Sequence, residues 1–456
     1  MVTAYMLCET IMIPVAGKLS DIYGRKPLFL LGFVLFILGS VVAGMSVNME
    51  MLIVCRAIQG FGGGILIPVA TAAVADFYVP KDRGRMQGIL GAFFGIGSGI
   101  GPLIGGYITE YVSWHWIFYI NVPLAVVSMA LTVRRFAQPD EDAEHSIDRR
   151  GIALLSLLLL DVLLLIELGG REFEWVSPTS AAMAAVAVVL LCLFVRVERS
   201  AREPLLAPHL FRNRTIVKSA LFMLIYGIGM MGVMTYSSMF AIYIFGLTTL
   251  EAGVYSLAMV CGMLITSVSS GMLINRTGYR AWLTVGPVLC FVGLCLMSRM
   301  GLGTSIAYYC GSTFLFGLGL GCFMSVIMTA VQNSSKPREM GMTTSSVNLV
   351  RSIGATMGTA IFSMIITAAI ALHLEAVLPS GMFDAVPHDT GILDIVAAIQ
   401  AGTPGYESVA PYVDDILGAF ADSVDTAFLI GGVLLLLLMF IGVTFRVGNG
   451  RTPEED

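Results

Sequence analysis

Apolar residues in this chain fall into long runs separated by short polar stretches. Thirteen runs can be delimited, and each is about 20 residues long, the length of helix that crosses about 30 Å of hydrocarbon. The short alternating runs of a β-barrel are not seen, and only helices and closed barrels span lipid. The pattern therefore predicts an all-α polytopic membrane protein. The predicted spans are roughly 2–17, 28–47, 51–76, 86–109, 114–133, 151–169, 179–196, 215–245, 252–274, 281–299, 304–331, 342–372 and 426–446.

Basic residues concentrate in every second loop between these runs. If the loop between the first two runs lies inside, 22 of the 26 Lys and Arg residues fall in loops on that same side. Positively charged loops stay in the cytoplasm, so the pattern predicts a multi-pass plasma-membrane protein with a cytoplasmic C-terminus. Thirteen spans then place Met1 outside without a translocation signal ahead of it. We therefore expect a further helix upstream of Met1.

Composition supports the membrane class and argues against an enzyme. The chain is 57% hydrophobic and 12% charged, with a mean hydropathy of +0.85. Its eight cysteines lie in or at the ends of apolar runs without the paired spacing of a metal or redox site, and its five histidines are scattered. We find no nucleotide-binding loop, metal cluster or nucleophile motif, and expect no cofactor, metal or nucleic-acid partner.

An internal repeat organises the chain. Gly17, Asp21 and Gly24 recur as Gly271, Asn275 and Gly278, each displaced by 254 residues and eight spans. Two six-helix halves with a two-helix insert produce this displacement if one helix precedes Met1. The predicted domains are an N-terminal half at 1–133, an insert at 134–214, a C-terminal half at 215–446 with an outer acidic loop at 374–425, and a cytoplasmic tail at 447–456.

A charged stretch separates the first two spans. It has the pattern G-x-x-x-D-x-x-G-R-K, formed by Gly17, Asp21, Gly24, Arg25 and Lys26. Glycine permits a tight turn and the close approach of a neighbouring helix. Aspartate can accept hydrogen bonds from backbone N–H groups or pair with arginine. Asp76, at the inner end of the 51–76 span, is a candidate partner for Arg25.

Two arginines lie inside spans, where a charge costs several kcal/mol and indicates function by default. Arg56 begins the pattern R-x-x-Q-G-x-G with Gln59, although its side chain could instead extend to the outer surface. Arg351 lies beside Gly354 and Gly358. It either faces a central cavity and pairs with an acid or has a structural role.

The fourth span carries the pattern G-x-x-x-G-P-x-x-G-G. Small residues at this spacing let helix backbones pack closely, and proline bends the helix. The residues concerned are Gly97, Gly101, Pro102, Gly105 and Gly106.

Together these motifs resemble the major facilitator superfamily, and the span count, insert and long outer loop resemble its fourteen-span drug:H+ antiporter branch, apparently lacking the first helix. The resemblance implies a major facilitator fold with alternating access. It implies that the charged turn, with Asp76, locks the two halves on the cytoplasmic side. It also implies that Arg56 is linked to proton coupling and that the glycine-proline pattern marks an exporter.

Candidate proton carriers are acids within spans, because a carboxyl group in hydrocarbon favours its neutral form and can bind a proton. Glu9 lies in the middle of the first span, and the alternative is a structural polar contact. Asp161 is weaker, because the insert helices are usually peripheral in the family. The proposed substrate-binding residues are Gln59, Met230, Met234, Tyr236 and Met239, for which lipid-facing or packing methionines are the alternative.

The sequence thus predicts a secondary transporter that exports small amphipathic or cationic compounds in exchange for protons, driven by the proton gradient and surrounded by membrane lipid. An exporter of a specific metabolite, sugar, peptide or siderophore is the alternative with the same fold. A non-transporting sensor or an inactive truncated fragment is the alternative of another class. Docking of a periplasmic adaptor protein on the outer loop and the oligomeric state stay open.

Overall fold

The computed structural model describes residues 2–135, 148–170, 172–201, 204–206, 208–377 and 410–445. Regular structure in this part of the chain is helical, which confirms the all-α prediction. The helices are α1 Val2–Tyr23, α2 Arg25–Gly44, α3 Met49–Phe77, α4 Pro80–Tyr111, α5 Trp116–Tyr119, α6 Asn121–Arg135, α7 Arg149–Leu168, α8 Pro178–Glu198, α9 Arg214–Ile244, α10 Thr249–Met297, α11 Ile306–Gly321, α12 Met324–Asn333, α13 Met340–Val377 and α14 Val413–Val443.

Eleven helical segments in the described residues are long and apolar enough to cross a membrane. One of them, α10, holds 49 residues and contains two predicted spans that meet at Gly278. Another combines α11 with α12, which together cover the predicted span 304–331. We call the side on which α1 ends and α2 begins the basic side, because the predicted loops there carry most of the lysines and arginines.

The charged stretch after the first span is not the loop that the sequence predicted. α1 continues through Asp21 to Tyr23, α2 begins at Arg25, and Gly24 alone breaks the helix with φ 84° and ψ 162°. Gly278, at the repeat position in α10, has nearly the same backbone angles, φ 76° and ψ 163°. The shared geometry supports the internal repeat, and it shows that the polar side chains are accommodated within helices.

The predicted outer loop 374–425 begins and ends within helices. α13 continues to Val377, and α14 begins at Val413, so part of the acidic stretch is helical. Asp414 and Asp415 suggested a solvated loop, but acids are favourable in the first turn of a helix because they complement its dipole. Residues 378–409, which hold other acids of the predicted loop, and the predicted tail 447–456 lie outside the described part.

Two seams join α1–α6 to α9–α14. Along the first, α4 packs on α10 through glycines: a Cβ on Gly88 would lie 2.7 Å from the Ser267 carbonyl oxygen, and one on Gly84 would lie 2.8 Å from that of Gly271. Along the second, α1 packs on α13, where Thr10 and Ser352 share a hydrogen bond of 2.7 Å between their hydroxyl oxygens. The candidate site lies along this second seam.

The first insert helix, α7, is less peripheral than the resemblance implied. Leu155, Leu159 and Leu163 form one face of α7 and are buried in a cluster with Ile13 of α1 and Leu349 of α13. α7 therefore covers the α1–α13 seam and contacts helices on both sides of it.

We predict that Gly24→Ala destabilises the protein, because the backbone angles at Gly24 belong to a region that is nearly exclusive to glycine. Such strain costs about 1–3 kcal/mol. Thermal unfolding of the purified protein in detergent should show a lower Tm. Gly311→Ala is the matched control, since Gly311 lies within α11 and a Cβ there meets no described atom within 4 Å. An unchanged Tm for Gly24→Ala would contradict the assigned geometry.

Candidate functional site

Asp21 joins the two halves on the basic side. Its Oδ1 accepts a hydrogen bond from the Gly341 backbone N–H at 2.9 Å, and its Oδ2 accepts one from Met342 at 2.7 Å. Both donors belong to the first turn of α13, where N–H groups lack partners within the helix. A carboxylate also complements the positive end of the helix dipole. The Asp21 side chain on α1 thus caps α13 of the opposite half.

Arg25 holds this carboxylate in place. Its guanidinium is buried and pairs with Asp21 Oδ1 at 2.7 Å through Nη1 and with Asp76 Oδ2 at 2.7 Å through Nε. Asp76 belongs to α3, so the network connects three helices of the N-terminal half to α13. The predicted pair between Arg25 and Asp76 is present in the structure.

Gly17 permits the close approach of the two halves. A Cβ at Gly17 would collide with the Ser345 side chain and would lie 2.7 Å from the Gly341 carbonyl oxygen. Lys26, which the sequence placed in the same lock, is half-buried, and within the described residues no ion pair joins it to the network.

A second group of polar contacts closes the basic side along α4. Arg83 donates to the Gln332 carbonyl oxygen at 3.4 Å and to Asn333 Oδ1 at 3.1 Å, both at the end of α12. Gln332 Nε2 donates to the Thr71 carbonyl oxygen at 2.8 Å. The repeat residue Asn275 donates to the Lys81 carbonyl oxygen at 2.6 Å. Sequence reasoning missed Arg83 and Gln332, because most of these contacts use backbone acceptors that leave no pattern.

Arg56 is half-buried in a cluster within the N-terminal half. Its Cζ lies 4.3 Å from the centre of the Tyr5 ring, and its Nη1 donates to Gln59 Oε1 at 2.6 Å. Gln59 Nε2 in turn donates to Ser40 Oγ at 2.7 Å. Arg56 is therefore held by an aromatic face and an amide. No sequence pattern indicates Tyr5 as its partner.

Glu9 has two arginines of opposite halves in its surroundings, but within the described residues it forms no ion pair with either. It interacts electrostatically with Arg351 of α13 and with Arg56 of α3. Arg351 is 6% exposed, and its Cζ lies 5.6 Å from the centre of the Phe94 ring on α4. The structure thus brings three of the four predicted proton-coupling residues into one region of the seam.

Asp161, the fourth, lies elsewhere. It is on α7, and no hydrogen bond or ion pair of the described residues connects it to Glu9, Arg56 or Arg351. Its Oδ2 is buried without a hydrogen-bond partner in the described part of the chain. Asp425 Oδ1, on α14, is in the same situation. The sequence pattern predicts Asp425 in the outer loop, so it does not indicate this residue as a buried acid of α14.

The predicted substrate-binding residues do not form one surface. A cavity of about 90 Å³ opens between α4, α9 and α10 and is lined by Met234, Ser98 and Met259 among others. Met230 is 3% exposed and belongs to the core of the C-terminal half. Tyr236 stacks on Phe362 with ring centres 6.3 Å apart. Met239 packs against the same core, and Gln59 is bonded within its own half.

The glycine-proline motif lies on an open face of α4. A Cβ on Gly97, Gly101 or Gly105 would meet no described atom within 4 Å, whereas one on Gly106 would lie 3.7 Å from Leu250. The side chain of Pro102 lies outside the described part. The predicted close packing is therefore not formed at three of the four glycines.

In the internal repeat, α13 of the C-terminal half corresponds to α4, and its face equivalent to the glycine-proline motif can be compared. Gly17 meets Gly341 and Ser345, and its repeat partner Gly271 meets Gly84 and Gly88, so α4 and α13 correspond with a displacement of 257 residues. This displacement pairs Gly97 with Gly354 and Gly101 with Gly358. A Cβ on Gly354 or Gly358 would collide with carbonyl oxygens of α9, at Leu224 and Ile228. The motif positions on α13 thus pack tightly on a neighbouring helix.

The sequence of this chain is similar to a known protein family and to several of its members. The family model of the Major Facilitator Superfamily matches residues 1–359. The multidrug transporter protein MdtP of Bacillus subtilis (strain 168) is 34% identical over 366 residues, which cover 80% of this chain and 68% of that protein. Multidrug resistance protein 3 of the same organism is 32% identical over 445 residues, covering 96% of this chain and 86% of that protein.

Solved structures share the fold at low sequence identity. The human organic anion transporter MFSD10 (TETRAN) gives a TM-score of 0.64 with 16% identity, covering 96% of this chain and 82% of that one. The proton:xylose symporter XylE gives a TM-score of 0.60 with 12% identity, covering 97% and 85%. Both likenesses concern the fold alone.

We predict that Asp21→Asn loosens the basic side. The amide carries no negative charge for Arg25 or the α13 dipole, and it offers one acceptor oxygen to two N–H donors. A Cys placed at Ser352 in the seam, with the eight native cysteines replaced, should react with a water-soluble maleimide roughly fivefold to tenfold faster, which corresponds to about 1–1.4 kcal/mol.

The control for this experiment is Asp82→Asn, which removes an acid from the first turn of α4 on the same side. Its labelling rate should match that of the parent. An Asp21→Asn protein that is folded and labels at the parent rate would contradict the capping role.

Proposed function

Because the chain belongs to the major facilitator superfamily, we propose that it is a proton-coupled exporter of small amphipathic or cationic compounds. In this proposal the protein lies in the cell membrane, and its basic side and its C-terminus face the cytoplasm. The proton gradient supplies the energy, so no cofactor is needed. The names of the two Bacillus subtilis relatives support multidrug export as the class of activity.

The position of Glu9 carries the proposal. An ionised Glu9 attracts Arg351 across the seam and balances part of the charge of Arg56. A proton on Glu9 removes this negative charge, so both arginines lose an opposite charge in a region of low dielectric, where such attraction is stronger than in water. Protonation therefore weakens the closed arrangement of the basic side.

Opening of the basic side on protonation of Glu9 is the direction that antiport requires. In the arrangement closed on the basic side, a proton that arrives from outside neutralises Glu9 and favours opening towards the cytoplasm. The proton leaves there, and a substrate binds. Restored attraction between Glu9 and Arg351 then favours closure and carries the substrate outwards. Each ligand shifts the equilibrium by its differential affinity for the two arrangements.

The test is dye-induced proton movement in inverted membrane vesicles that hold an acid-inside pH gradient. Vesicles with this protein are compared with vesicles from cells carrying the empty vector, using the apolar cation ethidium. Proton release on ethidium addition, seen only with the protein and abolished by nigericin, supports the proposal. No release from vesicles that contain the folded protein contradicts it for this class of substrate.

We predict that Glu9→Gln abolishes proton coupling without abolishing binding. Glutamine resembles the protonated acid in size and charge but cannot exchange a proton. Ethidium-induced proton release should fall to the empty-vector level, whereas exchange of labelled for unlabelled ethidium without a gradient should persist. Glu50→Gln, at the exposed start of α3, is the control and should behave like the parent. Unchanged gradient-driven efflux in Glu9→Gln would exclude this residue as the proton carrier.

A further inference from the structure

Asn348 lies on the face of α13 that meets α1. Ser345, three residues before it, contacts Gly17, and Ser352, four residues after it, is hydrogen-bonded to Thr10. Residues three and four apart share one face of a helix. The Asn348 amide is therefore placed inside the seam, between the lock on the basic side and the Glu9 region.

This amide is buried without hydrogen bonds. Its side chain is 0% exposed, and within the described part of the chain neither Nδ2 nor Oδ1 has a partner. Among the described residues, Asn348 is the one side chain with two buried polar atoms that lack a hydrogen-bond partner. Leaving a buried donor and a buried acceptor unpaired costs free energy, which an apolar residue of similar size would not cost. A packing role alone gives no reason for an asparagine here.

Opening of the basic side separates α1 from α13 and exposes this face to a compound that comes from the cytoplasm. Building on the proposed exporter, we propose that Asn348 is a substrate-recognition residue that pairs with a carboxamide-like group. An asparagine side chain offers an N–H donor beside a carbonyl acceptor, and a primary amide, secondary amide or urea offers the complementary pair. The substrate class is then an amphipathic compound with such an edge.

The surroundings fit a polar end joined to an apolar body. Arg351 Nε, three residues from Asn348 on α13, and Tyr226 Oη of the adjoining α9 are also buried without hydrogen-bond partners among the described residues. Phe94 of α4 contributes apolar surface beside Arg351. The negative charge of Glu9 offsets the positive charge of Arg351, so Arg351 by itself does not require an anionic substrate. A neutral amide end suits this balance.

A purely conformational role for Asn348 makes a different prediction. If the unpaired amide only disfavoured the closed seam, its replacement would change the fraction of protein that is competent to bind. A change in that fraction alters the apparent affinity for all ligands of the open state by the same factor. Selectivity between two closely related ligands would stay the same. The ratio of two affinities therefore separates recognition from gating.

The experiment measures fluorescence binding of two dyes to the purified full chain in lipid nanodiscs. Dansylglycinamide presents the donor–acceptor edge, and dansylglycine N,N-dimethylamide keeps the carbonyl and the sulfonamide N–H but lacks the carboxamide N–H donor. The parent should bind the first dye about tenfold more tightly, as expected for one well-formed hydrogen bond in a buried site. Asn348→Leu should bring the two affinities to within about twofold of each other.

Two further variants complete the test. Asn121→Leu removes an asparagine whose Nδ2 donates to the Ile117 carbonyl oxygen outside the seam, and it should keep the parental ratio. Asn348→Gln keeps the amide and should keep the preference for dansylglycinamide, which serves if Asn348→Leu does not fold. Equal affinities in the parent, or an unchanged ratio in Asn348→Leu, would overturn the proposal.

The outcome is separable from that of the proposed function. If neither dye binds the parent, the inference on Asn348 is wrong, while ethidium-driven proton release still decides whether the protein is an antiporter. If the dye preference depends on Asn348 but vesicles show no proton coupling, the recognition site stands and the coupling mechanism falls.

Discussion

The closed arrangement of the two halves on the basic side depends on the Asp21 carboxylate of α1, which caps α13 of the opposite half. Asp21 accepts two backbone N–H bonds from the start of α13, and Arg25 and Asp76 hold it there. A hydrogen bond to a charged group contributes about 1.5–3 kcal/mol. This interaction is strong enough to favour one arrangement, but it can be broken without unfolding either half. The polar contacts of Arg83, Gln332 and Asn275 on the same side can likewise be broken without unfolding either half.

Each half, by contrast, is held by apolar packing. The C-terminal half has an extensive core that includes Phe222, Tyr226, Phe316 and Phe428. Separating the halves on the basic side breaks polar contacts at helix ends and leaves this core intact. A proton or a substrate that contributes a few kcal/mol of differential binding is then sufficient to shift the equilibrium. The seam of α4 and α10, lined by glycines, lets backbones lie close together.

The sequence predicted those features that have a local pattern. Apolar runs predicted the helices, and the repeated glycines predicted two equivalent breaks, at Gly24 and Gly278. The charge pattern predicted that Arg25 pairs with Asp76. The partners of Asp21 could not be predicted, because they are backbone groups 320 residues away with no side-chain signature. Asn348 was missed for a related reason, since an isolated asparagine in a span acquires meaning only when its buried surroundings are known.

Errors in the predicted boundaries also have a physical cause. Charged residues in the sequence predict helix ends, but Asp21 is paired inside the fold, and Asp414 and Asp415 are favourable at the start of α14. The glycine-proline motif shows another limit of sequence patterns. Its spacing predicts close helix packing, yet whether Gly97 and Gly101 meet a neighbour depends on which helices surround α4.

Distances between spin labels would test most directly whether the two halves rock against each other. One pair of labels replaces Tyr23 and Lys336 on the basic side, and a second replaces Val47 and Leu302 on the opposite side, all in a background without the eight native cysteines. If the halves rock, each pair should show two distance populations. As pH or ethidium concentration changes, the longer population of the basic-side pair should grow while the opposite pair shifts to its shorter one. A single distance for each pair that no condition alters would contradict this rocking.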